Sequence, residues 1–185
     1  MATQHKVRLG TAWNWSTVTV ERFLDLAQAV TDAVTNRMDL MLEGNARLNE
    51  TQAIQIGRWL DERAWKWFEK PLPKDQIDGY ARLNKALQIP ITGGESNSRL
   101  SEFERFFQKE AYSMGQLDVG VCTLKEAIRI YRKGLDYGIP VFTQNWHNGL
   151  LTTANAHFLA ALPEEHVLEQ FIGQGPLQWD IIKES

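Results

Sequence analysis

Apolar and polar residues are patterned in two ways along this chain, and the two patterns take turns. Short runs rich in branched and aromatic residues fall at "HKVRLG" (5–10), "MDLMLEG" (38–44), "WKWFEKP" (65–71), "IPITGGE" (89–95), "SMGQLDV" (113–119), "IPVFTQN" (139–145) and "HVLEQF" (166–171). Runs this short, bounded by Gly, Pro and Asn, predict strands. Between them apolar residues recur at helical spacing. In "VERFLDLAQAVTDAV" (20–34), Phe23, Leu26, Ala27, Val30, Ala33 and Val34 share a helical face. Thr51–Glu62, Asp75–Leu87, Leu100–Lys109, Thr123–Tyr137 and Leu151–Leu162 read the same way. Strand followed by helix, repeated, predicts parallel strands joined by crossover helices.

The repeat has a nearly fixed length. The last inward-looking polar residue of successive strands falls at Glu43, Glu69, Glu95, Asp118, Gln144 and Glu169, in steps of 26, 26, 23, 26 and 25 residues. A period of this size marks one supersecondary unit used again and again. An open doubly wound sheet would also satisfy the alternation. Acids recurring at the same strand end favour a barrel, where those ends converge on one mouth. The fold class expected is α/β: a partial (β/α) TIM-type barrel of about seven parallel strands, one incomplete domain over residues 1–185. A full barrel has eight strands and usually about 200–250 residues or more.

Composition narrows the function classes. With 43% hydrophobic and 23% charged residues, the chain suits one sizeable core. A net charge of −3 without a basic block argues against nucleic acid or an anionic membrane as partner. No apolar run reaches the roughly 20 residues of a membrane-spanning helix. Cys122 is the lone cysteine. It therefore forms no disulfide framework, reads as a small buried hydrophobe, and suggests a reduced, cytoplasmic setting.

Glu43, Glu69 and Glu95 would end three consecutive strands. Neighbouring strands lie about 4.8 Å apart, so three acids at one height would crowd their oxygens together. Unpaired, they repel. A hard divalent cation such as Mg²⁺ relieves this by taking oxygen ligands. Each acid taken alone also reads as a helix cap or an ion-pair partner. Lys70, one residue after Glu69, should face the helix layer or the next loop, as an ordinary surface ion-pairing residue. Lys70 as a Schiff-base lysine in an unrelated barrel would need the opposite orientation.

The stretches "KVRLG", "MDLMLEGNARL", "WFEKPLP", "IPITGGE", "QLDVG" and "VFTQNWHNGLLTTANAHFLAALP" resemble the mandelate racemase/muconate lactonizing branch of the enolase superfamily, in that family's order and roughly its spacing. The resemblance implies a modified β/α barrel, Mg²⁺, and removal of the proton next to a carboxylate to give an enediolate. It is nearest to acid-sugar dehydratases, which are lyases acting on small carboxylate substrates. It places the metal ligands on Glu43, Glu69 and Glu95; the first is usually Asp, so Glu43 reaches further by one methylene. The family commonly shows two acids before the Pro, where this chain has Lys70.

The resemblance places catalytic groups on Lys6, Arg8, Asp118 and Gln144. The second Lys of a Lys-x-Lys pair, a usual base, is Arg8, which keeps its proton at physiological pH. Arg8 could still clamp a substrate carboxylate. The opposite His of a His–Asp pair is Gln144, which cannot titrate. That leaves Lys6 or His147 to supply the base, with His147 read as a loop-surface histidine a few residues past the strand. His157 reads as a packing residue of its helix. Asn45 and Arg47 follow the first ligand, where substrate hydroxyls are bound in this branch; Asn45 also reads as a turn former. Trp13 and Trp15 are candidates to roof the mouth. The family's capping domain and first barrel strand have no counterpart in these residues. Partners expected are an acid-sugar substrate and either a homo-oligomer or a second chain completing the barrel. The competing expectation is a non-catalytic, metal-binding barrel remnant, or a structural or interaction protein.

Overall fold

The computed structural model describes residues 4–9, 19–34, 37–163 and 166–171. Trp13 and Trp15 lie outside them. The chain forms two compact units, residues 1–92 with 108–113, and residues 93–107 with 114–185. Among the described residues, six strands follow chain order in one sheet, β1 to β6.

The first unit holds β1 (Gln4–Arg8), α1 (Val20–Val34), β2 (Asp39–Glu43), α2 (Glu50–Asp61), β3 (Phe68–Glu69), α3 (Ile77–Ala86) and the start of β4 (Ile91–Gly93). The strands pair in parallel, with Arg8 opposite Glu43, Glu43 opposite Glu69 and Glu69 opposite Thr92. Leu42, Phe68 and Ile91 of the strands and Ile56, Leu60 and Leu83 of the helices are all fully buried. α1 buries only Val20, Phe23 and Ala27, and Leu26 of the expected stripe is 51% exposed. α2 starts at a capping box in which Asn49 accepts from Gln52 N and the Gln52 side chain accepts from Asn49 N. Gly44 is required after β2: a Cβ there would come within 2.8 Å of Pro71 Cα and 2.9 Å of the Lys70 carbonyl.

The second unit holds the last residue of β4, α4 (Leu100–Gln108, except its final residue), β5 (Met114–Leu117), α5 (Val119–Tyr137), β6 (Val141–Thr143) and α6 (Gly149–Ala160). β5 and β6 run parallel, with Leu117 opposite Thr143. Phe103, Phe106 and Phe107 bury one face of α4. The described residues contain no helix long and apolar enough to cross a membrane.

Residues 166–171 form no strand, contrary to the expected seventh. Val167 is 60% exposed, so the run buries too little to act as a strand core. The segment is tied instead through Glu169, whose carbonyl accepts from Asn145 Nδ2 at 2.9 Å.

Candidate functional site

In the first unit, Glu43 is the last residue of β2 and Glu69 the last of β3, and parallel register sets them directly opposite. They are 3% and 0% exposed, and each offers a carboxylate oxygen within 4.8 Å of the other. Two buried carboxylates this close are costly unless positive charge meets them. Three side chains supply it. Lys6 Nζ donates to Glu69 Oε2 at 2.8 Å. Arg8 Nε lies 3.0 Å from Glu43 Oε2, and Lys70 Nζ lies 2.9 Å from Glu43 Oε1. The last two are charge contacts without hydrogen-bond alignment: Glu43 Oε1 is buried and accepts no hydrogen bond. Hard oxygen donors with buried lone pairs fit a divalent cation of the Mg²⁺ kind.

Lys70 departs from expectation. It does not face the helix layer; its side chain is 14% exposed and turns back onto Glu43. The cause is local. Alternation of faces holds only while the backbone is extended. β3 ends at Glu69, and Lys70 takes φ +40°, in the left-handed region, just before Pro71. Its backbone is tied at both ends: its N–H donates to Thr92 O and its carbonyl accepts from Ala46 N.

Arg8 Nη2 donates to Asn45 Oδ1 at 3.1 Å, and Asn45 Nδ2 donates to Leu9 O at 3.4 Å. Asn45 and Ala46 have φ of +53° and +56°, so Asn45 is also the turn former its residue type suggests. Arg47 is half-buried in the same turn, its N–H donating to Gly44 O.

In the second unit, Glu95 is half-buried two residues past β4. Gly94 before it has φ +123°, and its carbonyl accepts from Asn97 N at 2.8 Å. Asp118 follows β5 and caps α5, its Oδ1 accepting from Gly120 N at 2.8 Å. Its other oxygen, Oδ2, lies 2.6 Å from His147 Nε2. His147 is therefore not a loop-surface histidine: its side chain is 26% exposed and rests on Asp118. β6 stops at Thr143, and the short return to α6, capped by Asn148, carries the imidazole back to Asp118. Gln144 is 7% exposed just past β6. His157 is exposed in the last turn of α6 and packs no core.

Sequence reasoning missed one buried polar group. Asn145 Nδ2 donates to Thr152 Oγ1 and to the Glu169 carbonyl, and Asn155 Oδ1 accepts from Val119 N. The polar run "TQNWHN" directly after a strand was its only signal. Cys122 is buried, as its residue type suggests, and burial together with the Asp118 charge pushes its thiol up to about 12.

Known proteins share this architecture. D-galactarolactone cycloisomerase of Agrobacterium fabrum is 29% identical over 154 residues, covering 80% of this chain and 39% of that protein. Arabinonate dehydratase of Saccharolobus solfataricus is 26% identical over 167 residues, covering 90% of this chain and 44% of that protein. The solved structure of 3,6-anhydro-D-galactonate cycloisomerase from Zobellia galactanivorans matches with a TM-score of 0.85 at 26% identity, over 95% of this chain and 48% of that one. This chain thus spans less than half the length of each. The family described as Enolase C-terminal domain-like matches residues 2–185. By that match this chain is a member of the enolase C-terminal domain-like family, built on part of a (β/α) TIM-type barrel.

Proposed function

We propose that this chain carries the metal and proton-transfer groups of an Mg²⁺-dependent lyase of the acid-sugar dehydratase kind. The observation that carries the reading is the buried, directly opposed pair Glu43 and Glu69 at the ends of β2 and β3. Glu95 joins them as third ligand on the strength of the repeat length and the family resemblance. Bound there, the cation would draw electron density from a substrate carboxylate and so acidify its α-carbon.

The chain's own residues do the rest. Arg8 presents a permanent guanidinium to a carboxylate, oriented by Asn45. Lys6 adds a second positive charge beside Glu69. Asp118 holds His147 by Nε2, which leaves Nδ1 to take the α-proton. The electron pair of the broken C–H bond moves into the carboxylate. Hydroxide then leaves the β-carbon and takes the abstracted proton back from His147 to depart as water, and the enol that remains tautomerises to a 3-deoxy-2-keto acid. Asn45 and Arg47 contact the sugar hydroxyls. Gln144 lies past the strand end, a hydrogen-bonding group with no part in proton transfer. Residues 1–185 act as one incomplete barrel domain, completed by a homo-oligomer or by a second chain. The lone cysteine supports a cytoplasmic setting.

The test is α-proton exchange. A panel of acid sugars is incubated with the protein and Mg²⁺ in deuterated solvent and followed by proton NMR. Loss of the α-proton signal is expected for at least one sugar, abolished by Glu69→Gln and by His147→Asn. No exchange across a broad panel, with metal still bound, would make this a non-catalytic barrel.

A further inference from the structure

The lysine after the second acid stands where a cation would be bound. Lys70 Nζ is 2.9 Å from Glu43 Oε1, a buried oxygen that accepts no hydrogen bond. The side chain is 14% exposed, and its carboxylate partner is 4% exposed. The backbone holds the lysine in this direction. The left-handed φ of +40°, the bonds to Thr92 and Ala46, and Pro71 behind it all fix where its Cα–Cβ bond points.

We propose that Lys70 is an intrinsic counter-cation of the carboxylate pair and competes with a divalent ion for Glu43. This inference rests on the metal site proposed above. Mg²⁺ binds oxygen at about 2.0–2.1 Å. An ion on Glu43 Oε1 and the ammonium 2.9 Å from that same oxygen would stand no more than about 5 Å apart. Two positive centres at that distance in a buried setting repel strongly. Either the ammonium leaves or the ion binds weakly. Arg8 does not act this way to the same degree. Arg8 sits on Oε2 and is held aside by Asn45, and Lys6, on Glu69, is unchanged in every variant below, so the comparison reads Lys70 alone. In the ion-free state Lys70 stabilises the acid pair, so the site needs no metal to fold.

Calorimetric titration with Mg²⁺, repeated with Mn²⁺ by electron paramagnetic resonance, reads the competition. Lys70→Gln is expected to tighten the dissociation constant at least tenfold over the unchanged protein. Lys70→Arg, which keeps the charge, should leave binding weak. Lys70→Met repeats the neutral substitution where glutamine fails to fold. Glu69→Gln in the Lys70→Gln background should remove the gain. Equal affinity in the unchanged protein and both neutral variants overturns the competition while leaving the metal site standing. No binding in any protein, the neutral variants included, overturns the metal site itself and the competition with it.

Discussion

Cys122 packs just inside the start of α5, 1% exposed, with Asp118 close enough to oppose its ionisation. The thiolate, not the thiol, is the reactive form. A thiol pushed up to about 12 is almost wholly protonated at pH 8. Ellman's reagent at pH 8 should therefore leave the folded protein unlabelled and release one equivalent on unfolding in guanidinium; rapid labelling of the folded protein would contradict the burial. The folded thiol keeps its proton between its ordinary 9.0 and about 12, where the unfolded thiol has lost it. Its contribution to stability is complete below pH 9 and falls away as pH rises through that window. Single residues were legible in the chain where type alone decides, as for Cys122. They were illegible where one backbone angle decides. Periodicity assigns Lys70 to the outer face because it assumes an extended residue, and nothing in "FEKP" announces φ +40°. His147 was misread in part for a related reason: it lies in the loop, as counting from the strand end puts it, but the turn into α6 brings its ring onto Asp118.

Elements were read well where their stabilisation is local. α2 begins within a residue of the expected Thr51, its start fixed by the Asn49–Gln52 capping box. Asn49→Ala should cost about 1 kcal/mol, a fall in melting temperature of about 2–4 °C for a chain of this size; no change would mean the cap carries nothing. Gly94→Ala should be worse. The position needs φ +123°, and a Cβ would come within 2.4 Å of Phe103 and 2.8 Å of the Gln116 carbonyl. Part of that clash is with backbone, so relief requires the strand end to move. Circular dichroism melts should rank Gly94→Ala below Asn49→Ala. Strands were read too long. "WKWFEKP" suggested seven residues, but only Phe68 and Glu69 make a ladder. Trp65 is buried from a position ahead of that ladder, so its apolar character reports burial rather than extension. α5 was read four residues short. Asp118 caps a first turn that Thr123, with φ +68°, then interrupts, and the interruption looked like the start of the helix.

At the scale of the molecule, the family and its barrel-type fold followed from the steps of 23 to 26 residues and from short motifs in a fixed order. The third acid of the proposed ligand set is the less direct reading, because register can be inferred from a repeat only where each strand ends alike. Glu43 and Glu69 end their strands, whereas Glu95 lies two residues beyond its own. Metal binding turns this difference into a measurement. A ligand that binds only the folded state stabilises it by about 2.7 kcal/mol at one hundred times its dissociation constant. For a chain of this size that is a rise in melting temperature of about 5–10 °C. The rise should appear with saturating Mg²⁺ and vanish in Glu69→Gln. Glu95→Gln then decides how many acids share the ion. If it loses the rise as fully as Glu69→Gln, the ion draws ligands from both units and its binding energy enters the folding of each. If it keeps the rise, the ion belongs to β2 and β3 alone, and Glu95 serves the turn in which it sits.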